Sequence, residues 1–310
     1  MADFDRPALV QFAQDSISRG SKSFRFASRL FDRITRERVW LLYAWCRKCD
    51  DMADGQDHGG AMAAVIDPQE SLAAIRTLTA KALAGIPTGE PAFDCLGVVA
   101  RECGITARMA EDVIEGFALD AADWHPRRES DLYQYCYHVA GAVGVMMAVV
   151  MGVPADDDAT LDRACDLGLA FQLANIARDI AEDDAAGRRY LPDDWLATLD
   201  IGPGEHMKPH NRKKLALMGR WLADEAEQYE ASARVGAAHL PLRARWAVLS
   251  AAGIYGEIAR KVRAADSHAW DQRIFTSRPE KFRWVRKAFV DAITNNPRDT
   301  NRDMLWTRVR

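Results

Sequence analysis

Apolar residues in this chain recur at spacings of three and four, as in Trp221, Leu222, Ala226 and Tyr229. Strict alternation of the strand kind is scarce, so the pattern predicts helices. Proline supplies the punctuation, because an interior proline breaks a helix. The stretches 8–67, 155–191, 210–240 and 242–278 contain none. Breaks are signalled by the glycine- and proline-rich segments at 54–60, 85–91, 123–130, 152–158 and 200–211. None has the length of an inter-domain linker, and no repeat of fixed period is evident. The expectation is an all-α chain in which residues 1–310 form a single domain.

The longest uncharged run, VAGAVGVMMAVVMGVPA at 139–155, contains Gly141, Gly144, Gly152 and Pro154. It falls short of the roughly 20 apolar residues of a membrane span, so it is expected to be a core helix. Its small residues Ala140, Gly141, Ala142 and Gly144 would either let two helices approach closely or leave room for an apolar ligand; the sequence leaves both open.

Charge narrows the function classes. With 41 basic and 45 acidic residues the formal net charge is −4, so no global field recruits nucleic acid or acidic lipid, and binding of phosphate must be local. The amino terminus carries early acidic residues and no apolar segment of the signal-peptide kind, which implies a cytoplasmic location. The six cysteines are expected to be free thiols, since Cys46 and Cys49 lack a second pair at zinc-site spacing.

Two segments stand apart. YAWCRKCDDMAD (43–54) and QLANIARDIAEDD (172–184) each bring an Arg and a group of acidic residues to the carboxyl end of an apolar helix. The helix dipole makes that the unfavourable end for negative charge. In the second, Gln172, Asn175, Asp179 and Asp183 are spaced so as to form one stripe; in the first, Tyr43, Arg47, Asp50 and Asp54 do the same. If the helices faced one another, each would offer carboxylates roughly 6 Å apart along its axis. Carboxylates that close resist ionising together unless a cation sits among them. Oxygen ligands without histidine favour Mg²⁺, or Mn²⁺, and Mg²⁺ completes its shell with substrate phosphate oxygens. Arg47, Arg178, Arg188 and Arg189 could neutralise the remaining oxygens. The expected substrate is therefore a diphosphate with an apolar remainder. Asp51, Glu182 and Asp184 lie off the stripes and are expected to be solvated neighbours.

With GSKSF (20–24), YCYHVAGAVG (135–144), LGLAFQLANIARDIAEDDAAGRRYLP (167–192), LPLRARWAV and AWDQR, these motifs resemble the squalene and phytoene synthase family of head-to-head prenyltransferases, most closely its bacterial phytoene synthase branch. The resemblance implies an isoprenoid-synthase-type helical bundle with a central cavity. It implies Mg²⁺-dependent condensation of two geranylgeranyl diphosphates through prephytoene diphosphate. By position, Asp50, Asp54, Asn175, Asp179 and Asp183 would bind metal. Ser21, Ser23, Tyr43, Arg47, Gln172, Arg178 and Tyr255 would contact diphosphate or the reacting carbons. Tyr43, Arg47, Asp50, Asp54, Asp179 and Asp183 form the implied catalytic set. Phe24, Tyr43, Tyr135 and Phe171 could stabilise carbocations through their ring faces, although Tyr135 and Phe171 also read as packing. His138 reads as a satisfied helix residue.

Rival readings follow from the same motifs. A squalene, dehydrosqualene or hydroxysqualene synthase acting on farnesyl diphosphate would share the metal and diphosphate residues. No Gly-rich dinucleotide fingerprint is present, and NADPH is not expected. A head-to-tail elongase or terpene cyclase fits less well, because the second motif lacks the Ser and Glu that cyclases place after Asn-Asp, and the first lacks Arg-Arg-Gly. A non-catalytic helical adaptor with solvated acidic ends is the reading from another class. The stretch 278–310 carries nine basic and four acidic residues, which suits a solvated amphipathic helix or peripheral membrane contact.

Overall fold

A computed structural model describes residues 4–20, 27–54, 68–122, 124–297 and 300–309. Among them there is no strand, and the all-α expectation holds. The helices are α1 (Arg6–Gly20), α2 (Arg33–Asp54), α3 (Pro68–Leu83), α4 (Pro91–Cys103), α5 (Ala107–Ala121), α6 (Glu129–Cys136), α7 (Ala142–Val150), α8 (Asp158–Ala185), α9 (Asp193–Thr198), α10 (Arg212–Ala237), α11 (Leu242–Ala265) and α12 (Arg278–Thr294). The chain divides into two compact units, one of residues 1–122 and 145–158 and the other of 123–144 and 159–310.

In the first unit α2 and α4 pack on each other and on α1, and α3 packs on α4 and α5. The core is apolar, with Ile17, Leu41, Trp45, Ile75, Phe93 and Leu96 fully buried. The Trp45 indole N–H donates to Thr79 Oγ1 at 3.2 Å, which satisfies its polar atom inside that core. Arg6 and Arg38 pair with Glu37 and Glu102, tying α1, α2 and α4 together at their rim. Asp32 caps α2 by accepting from the Thr35 N–H. Punctuation is local: α4 starts with proline in its first turn and stops at Gly104, whose φ of 79° is the left-handed conformation glycine tolerates best.

The second unit is built around α8, α10, α11 and α12. Leu132, Leu161, Leu169, Leu173, Leu222 and Tyr229 form its buried interior. Between α6 and α7 the backbone widens into a π-helical turn, Tyr137–Gly141. The 139–155 run is therefore part π-turn and part α-helix, and it stops at Val150, where Gly152 takes φ 99° and the Val153 N–H returns to Ala148 O. From Gly141 to Met151 its residues are buried or half-buried, as expected of a core segment, whereas Gly152, Pro154 and Ala155 at its end are exposed. No helix of the described residues is long and apolar enough to cross a membrane.

The small residues of that run resolve the question left open above. A side chain at Gly144 would press on the Ala164 carbonyl of α8. One at Gly168 would collide with the Ala140 carbonyl, and one at Gly141 with Leu169 and Cys165. These glycines serve close helix–helix approach. His138 is buried in the π-turn, its ring 5.0 Å from that of Tyr137. The six cysteines are free, and burial pushes the Cys46 thiol up to about 12.

Candidate diphosphate and metal site

On α2 the stripe takes form around Arg47. Its guanidinium meets Asp50 Oδ2 at 2.8 Å and Asp51 Oδ1 at 2.6 Å. Asp51 is thus no solvated neighbour: it is 7% exposed and holds Arg47 from the same helix, one turn on. The expectation fails because Arg47 is within reach of both i+3 and i+4, and packing of α2 buries the second of them. Tyr43 is half-buried one turn before Arg47, and burial raises its phenol above the usual range. Its hydroxyl lies against Gly20 at the end of α1, where any side chain would collide with it. Asp54 ends α2, and its side chain lies outside the described residues, as do Ser21, Ser23 and Phe24.

On α8 the expected stripe is real. Gln172, Asn175, Asp179 and Asp183 are half-buried, whereas Leu173, Ala174, Ile176, Ala177 and Ile180 beside them are buried. The helix ends just after its acids because Gly187 adopts φ 75°, with the Gly187 N–H on Asp184 O and the Arg188 N–H on Asp183 O. That double return is the Schellman stop. Arg178 Nε donates to Asp179 Oδ1 at 2.7 Å. Tyr255 lies within electrostatic reach of Arg178 and stacks on Phe171 with ring centroids 4.2 Å apart. Tyr135, by contrast, is sandwiched between Trp124 and Tyr190, which makes it packing.

Sequence reasoning missed Arg273. Its guanidinium reaches Asp179 Oδ1 at 3.0 Å and Glu182 Oε1 at 3.0 Å, so the exposed Glu182 is also paired. The segment that carries it is pinned to α8 by the Trp270 indole N–H on Ala177 O at 3.0 Å. Asp184, likewise exposed, faces the buried His206 at 3.3 Å. Arginines therefore offset the charge that the helix dipole disfavours, and they do so incompletely. The Asp183 carboxyl is pushed up to about 6, first by burial, with Arg188 opposing and with Asp179 and Glu182 adding to the rise.

A carboxyl raised by burial and by neighbouring acids would be stabilised in its charged form by a cation placed beside it. Among the described residues, no three His, Cys, Asp or Glu side chains are grouped as a ready-made metal cage. The oxygen donors of α8 nonetheless suit Mg²⁺, which takes one or two carboxylates and leaves positions for water and phosphate. Arg178 and Arg273 beside the α8 acids present the planar forks that recognise phosphate oxygens, as does Arg47 beside the acids of α2 in its own unit.

Residues 17–280 match the squalene/phytoene synthase family model. The chain belongs to the squalene/phytoene synthase family. It is 47% identical over 285 residues to a phytoene synthase of Pseudescherichia vulneris, an alignment covering 91% of this chain and 92% of the relative. To a 15-cis-phytoene synthase of Pantoea ananas it is 46% identical over 296 residues, with 95% of each chain covered. In three dimensions it is similar to a ligand-bound dehydrosqualene synthase, with a TM-score of 0.81, 26% identity, and 94% and 98% of the two chains covered. The helical architecture expected of the family is thereby in place, and both acidic helices lie inside the matched region.

Proposed function

We propose that this chain is a phytoene synthase: a prenyltransferase that condenses two geranylgeranyl diphosphates head to head, through prephytoene diphosphate, to phytoene with release of two diphosphates, in carotenoid biosynthesis. The observation that carries this reading is identity of 46–47% to phytoene synthases along more than nine-tenths of the chain. Asp50 and Asp54 on α2, and Asn175, Asp179 and Asp183 on α8, are the proposed metal ligands. Bound Mg²⁺, or Mn²⁺, would act as a Lewis acid on the leaving diphosphate. Arg47 and Arg178 give up their carboxylate partners to phosphate oxygens, with Gln172, Ser21, Ser23 and Tyr255 orienting the same group. Tyr43, held against Gly20, and the stacked Phe171 and Tyr255 offer ring faces to the allylic cation. Exclusion of water keeps that cation from being quenched.

The proposal treats residues 1–310 as one catalytic domain, because the division between the two compact units at 144/145 falls inside α7. It places the enzyme in the cytoplasm with peripheral membrane contact, which suits a hydrocarbon product, and it needs neither NADPH nor nucleic acid. The test is incubation of purified protein with Mg²⁺ and geranylgeranyl diphosphate, without NADPH, followed by chromatography and mass spectrometry. A 40-carbon hydrocarbon is expected. A 30-carbon product from farnesyl diphosphate, with none from the longer substrate, would overturn the chain length and favour a dehydrosqualene-type activity. No product from either would remove the enzymatic reading.

A further inference from the structure

Helix α12 is amphipathic twice over. Its inner face is fixed: Ala288 and Ala292 are buried, and Trp284 lies over Gly253 of α11, where a side chain would collide with the indole. The Trp284 N–H donates to Glu257 at 3.1 Å, and the guanidinium of Arg260 stacks 4.8 Å from the ring. The helix therefore does not depend on its outer face to stay docked. That outer face is nevertheless apolar. Phe282, Phe289 and Ile293 follow one another at helical spacing with Val290 beside them, and they are 65%, 42%, 57% and 59% exposed. Phe275, 68% exposed, lies just before the helix.

Cations frame this row. Arg278, Arg283, Arg286 and Lys287 are exposed on the same helix, Arg283 also reaching Glu257 at 3.4 Å and, like Lys287, lying against the Trp284 ring. Its two acids point elsewhere: Glu280 is held by Lys261 and Ser277 in the amino-terminal capping box, and Asp291 faces Arg234. A row of aromatic and branched side chains framed by arginine and lysine, with no carboxylate turned outward, is complementary to a surface that is apolar inside and anionic outside. The chain as a whole carries −4, so the attraction is confined to this helix.

The geometry points to the outer face of α12 as a docking surface for anionic lipid bilayers, with Phe282, Val290 and Ile293 entering the acyl boundary and Arg278, Arg283, Arg286 and Lys287 meeting headgroup phosphates. This deepens the reading of peripheral membrane contact by naming the surface that makes it. The helix lies flat on the membrane, as its fixed inner face requires.

The full chain is sedimented with vesicles of phosphatidylcholine alone and of phosphatidylcholine with phosphatidylglycerol, at low and raised salt. Binding is expected to the anionic vesicles, to weaken with salt, and to be at least about tenfold weaker on neutral ones. The combined variant Phe282→Ser, Val290→Ser, Ile293→Ser should lose about tenfold or more in vesicle affinity. Its turnover of geranylgeranyl diphosphate in detergent should stay unchanged. A second variant, Arg278→Glu with Arg286→Glu, should lose anionic binding while its circular dichroism and melting temperature stay put. Wild-type vesicle binding retained in both variants would overturn the assignment. So would a change from dimer to monomer on analytical ultracentrifugation with no change in vesicle binding, which would make the face a contact between copies. Failure of turnover in the wild type, with vesicle binding intact, would fault the proposed reaction and leave this surface standing.

Discussion

Replacing Asp183 by Asn separates the cost of an unfilled metal site from the benefit of filling it. The Asp183 carboxyl rises from 3.8 to about 6 through burial, with the charges of Asp179 and Glu182 contributing. The folded state therefore binds a proton more tightly than the unfolded state, and metal-free stability contributed by this group is present below pH 3.8 and lost as pH rises through 6. A displacement of that size corresponds to about 3 kcal/mol. Because Asp183 is half-buried rather than fully enclosed, solvent screening reduces the expectation to about 1–2 kcal/mol. For a chain of this length that is a rise in melting temperature of about 1.5–3 °C. Asp183→Asn keeps the shape and removes the charge, so without metal at pH 7.5 the variant should melt higher than the wild type, and the two should converge near pH 4. Mg²⁺ with pyrophosphate should reverse the order, stabilising the wild type and not the variant. In the wild type, proton and metal compete, so the Mg²⁺ concentration for half-maximal stabilisation should rise about tenfold per pH unit below 6. Differential scanning fluorimetry across pH measures all of this. A variant that melts no higher than wild type at pH 7.5, or that keeps the full response to Mg²⁺ and pyrophosphate, would refute the placement of Asp183 in the metal site.

Other perturbations probe the remaining parts of the site and its support. Asp50→Asn and Asp179→Asn should each remove most turnover while leaving circular dichroism unchanged; wild-type activity in either would remove that residue from the metal set. Gly20→Ala should push the Tyr43 hydroxyl aside and lower kcat more than it changes melting, measured by steady-state kinetics and fluorimetry on one preparation. Arg302→Ala should cost about 3 kcal/mol in denaturant unfolding, because it strips the pairing from Asp166, which is 0% exposed and now meets Arg302 at 2.7 and 2.8 Å. Asp166→Asn added to Arg302→Ala should recover part of that loss, and additivity in the double variant would show that the pair is not coupled.

The chemistry visible in the sequence is the part that rests on helical period. The α8 stripe was legible because Gln172, Asn175, Asp179 and Asp183 interrupt an apolar helix at spacings of three and four, and any helix over that stretch must line them up. Asp51 was misread for a related reason. Period places it beside Arg47 but does not say which neighbour the tertiary packing buries, and burial turned it into the firmer of the two partners. Arg273 lies far along the chain from Asp179, and only the docking of Trp270 on Ala177 brings it back. Its one signal was its place in AWDQR, after a tryptophan whose indole needs a polar partner when half-buried.

The carboxyl-terminal segment shows where composition stops and pairing decides. Counted as nine basic and four acidic residues, 278–310 suits a solvated amphipathic helix or peripheral membrane contact, and the count does not say which of its cations stay outside. In the fold its charges divide by task. The arginines and lysine on the outside of α12 are exposed beside an apolar row, whereas Arg302 and Arg308 turn inward, to Asp166 and to Asp162 Oδ1 at 2.8 Å. Asp162 and Asp166 are buried one turn apart in the amino-terminal half of α8. Two carboxylates so placed need cations, and the tail delivers them, with the Trp306 N–H on the Tyr229 hydroxyl holding the connection in place. The same helix thus solves one electrostatic problem in two ways. At its amino-terminal half, permanent guanidinium partners neutralise acids that serve the fold. At its carboxyl end, arginines cover Asp179, while burial pushes the Asp183 carboxyl up against the opposing charge of Arg188. Fixed guanidinium partners hold the acids that serve the fold, and the carboxyl end of α8, where Asp179, Glu182 and Asp183 share one stretch of helix, is where an exchangeable cation has something to gain by binding.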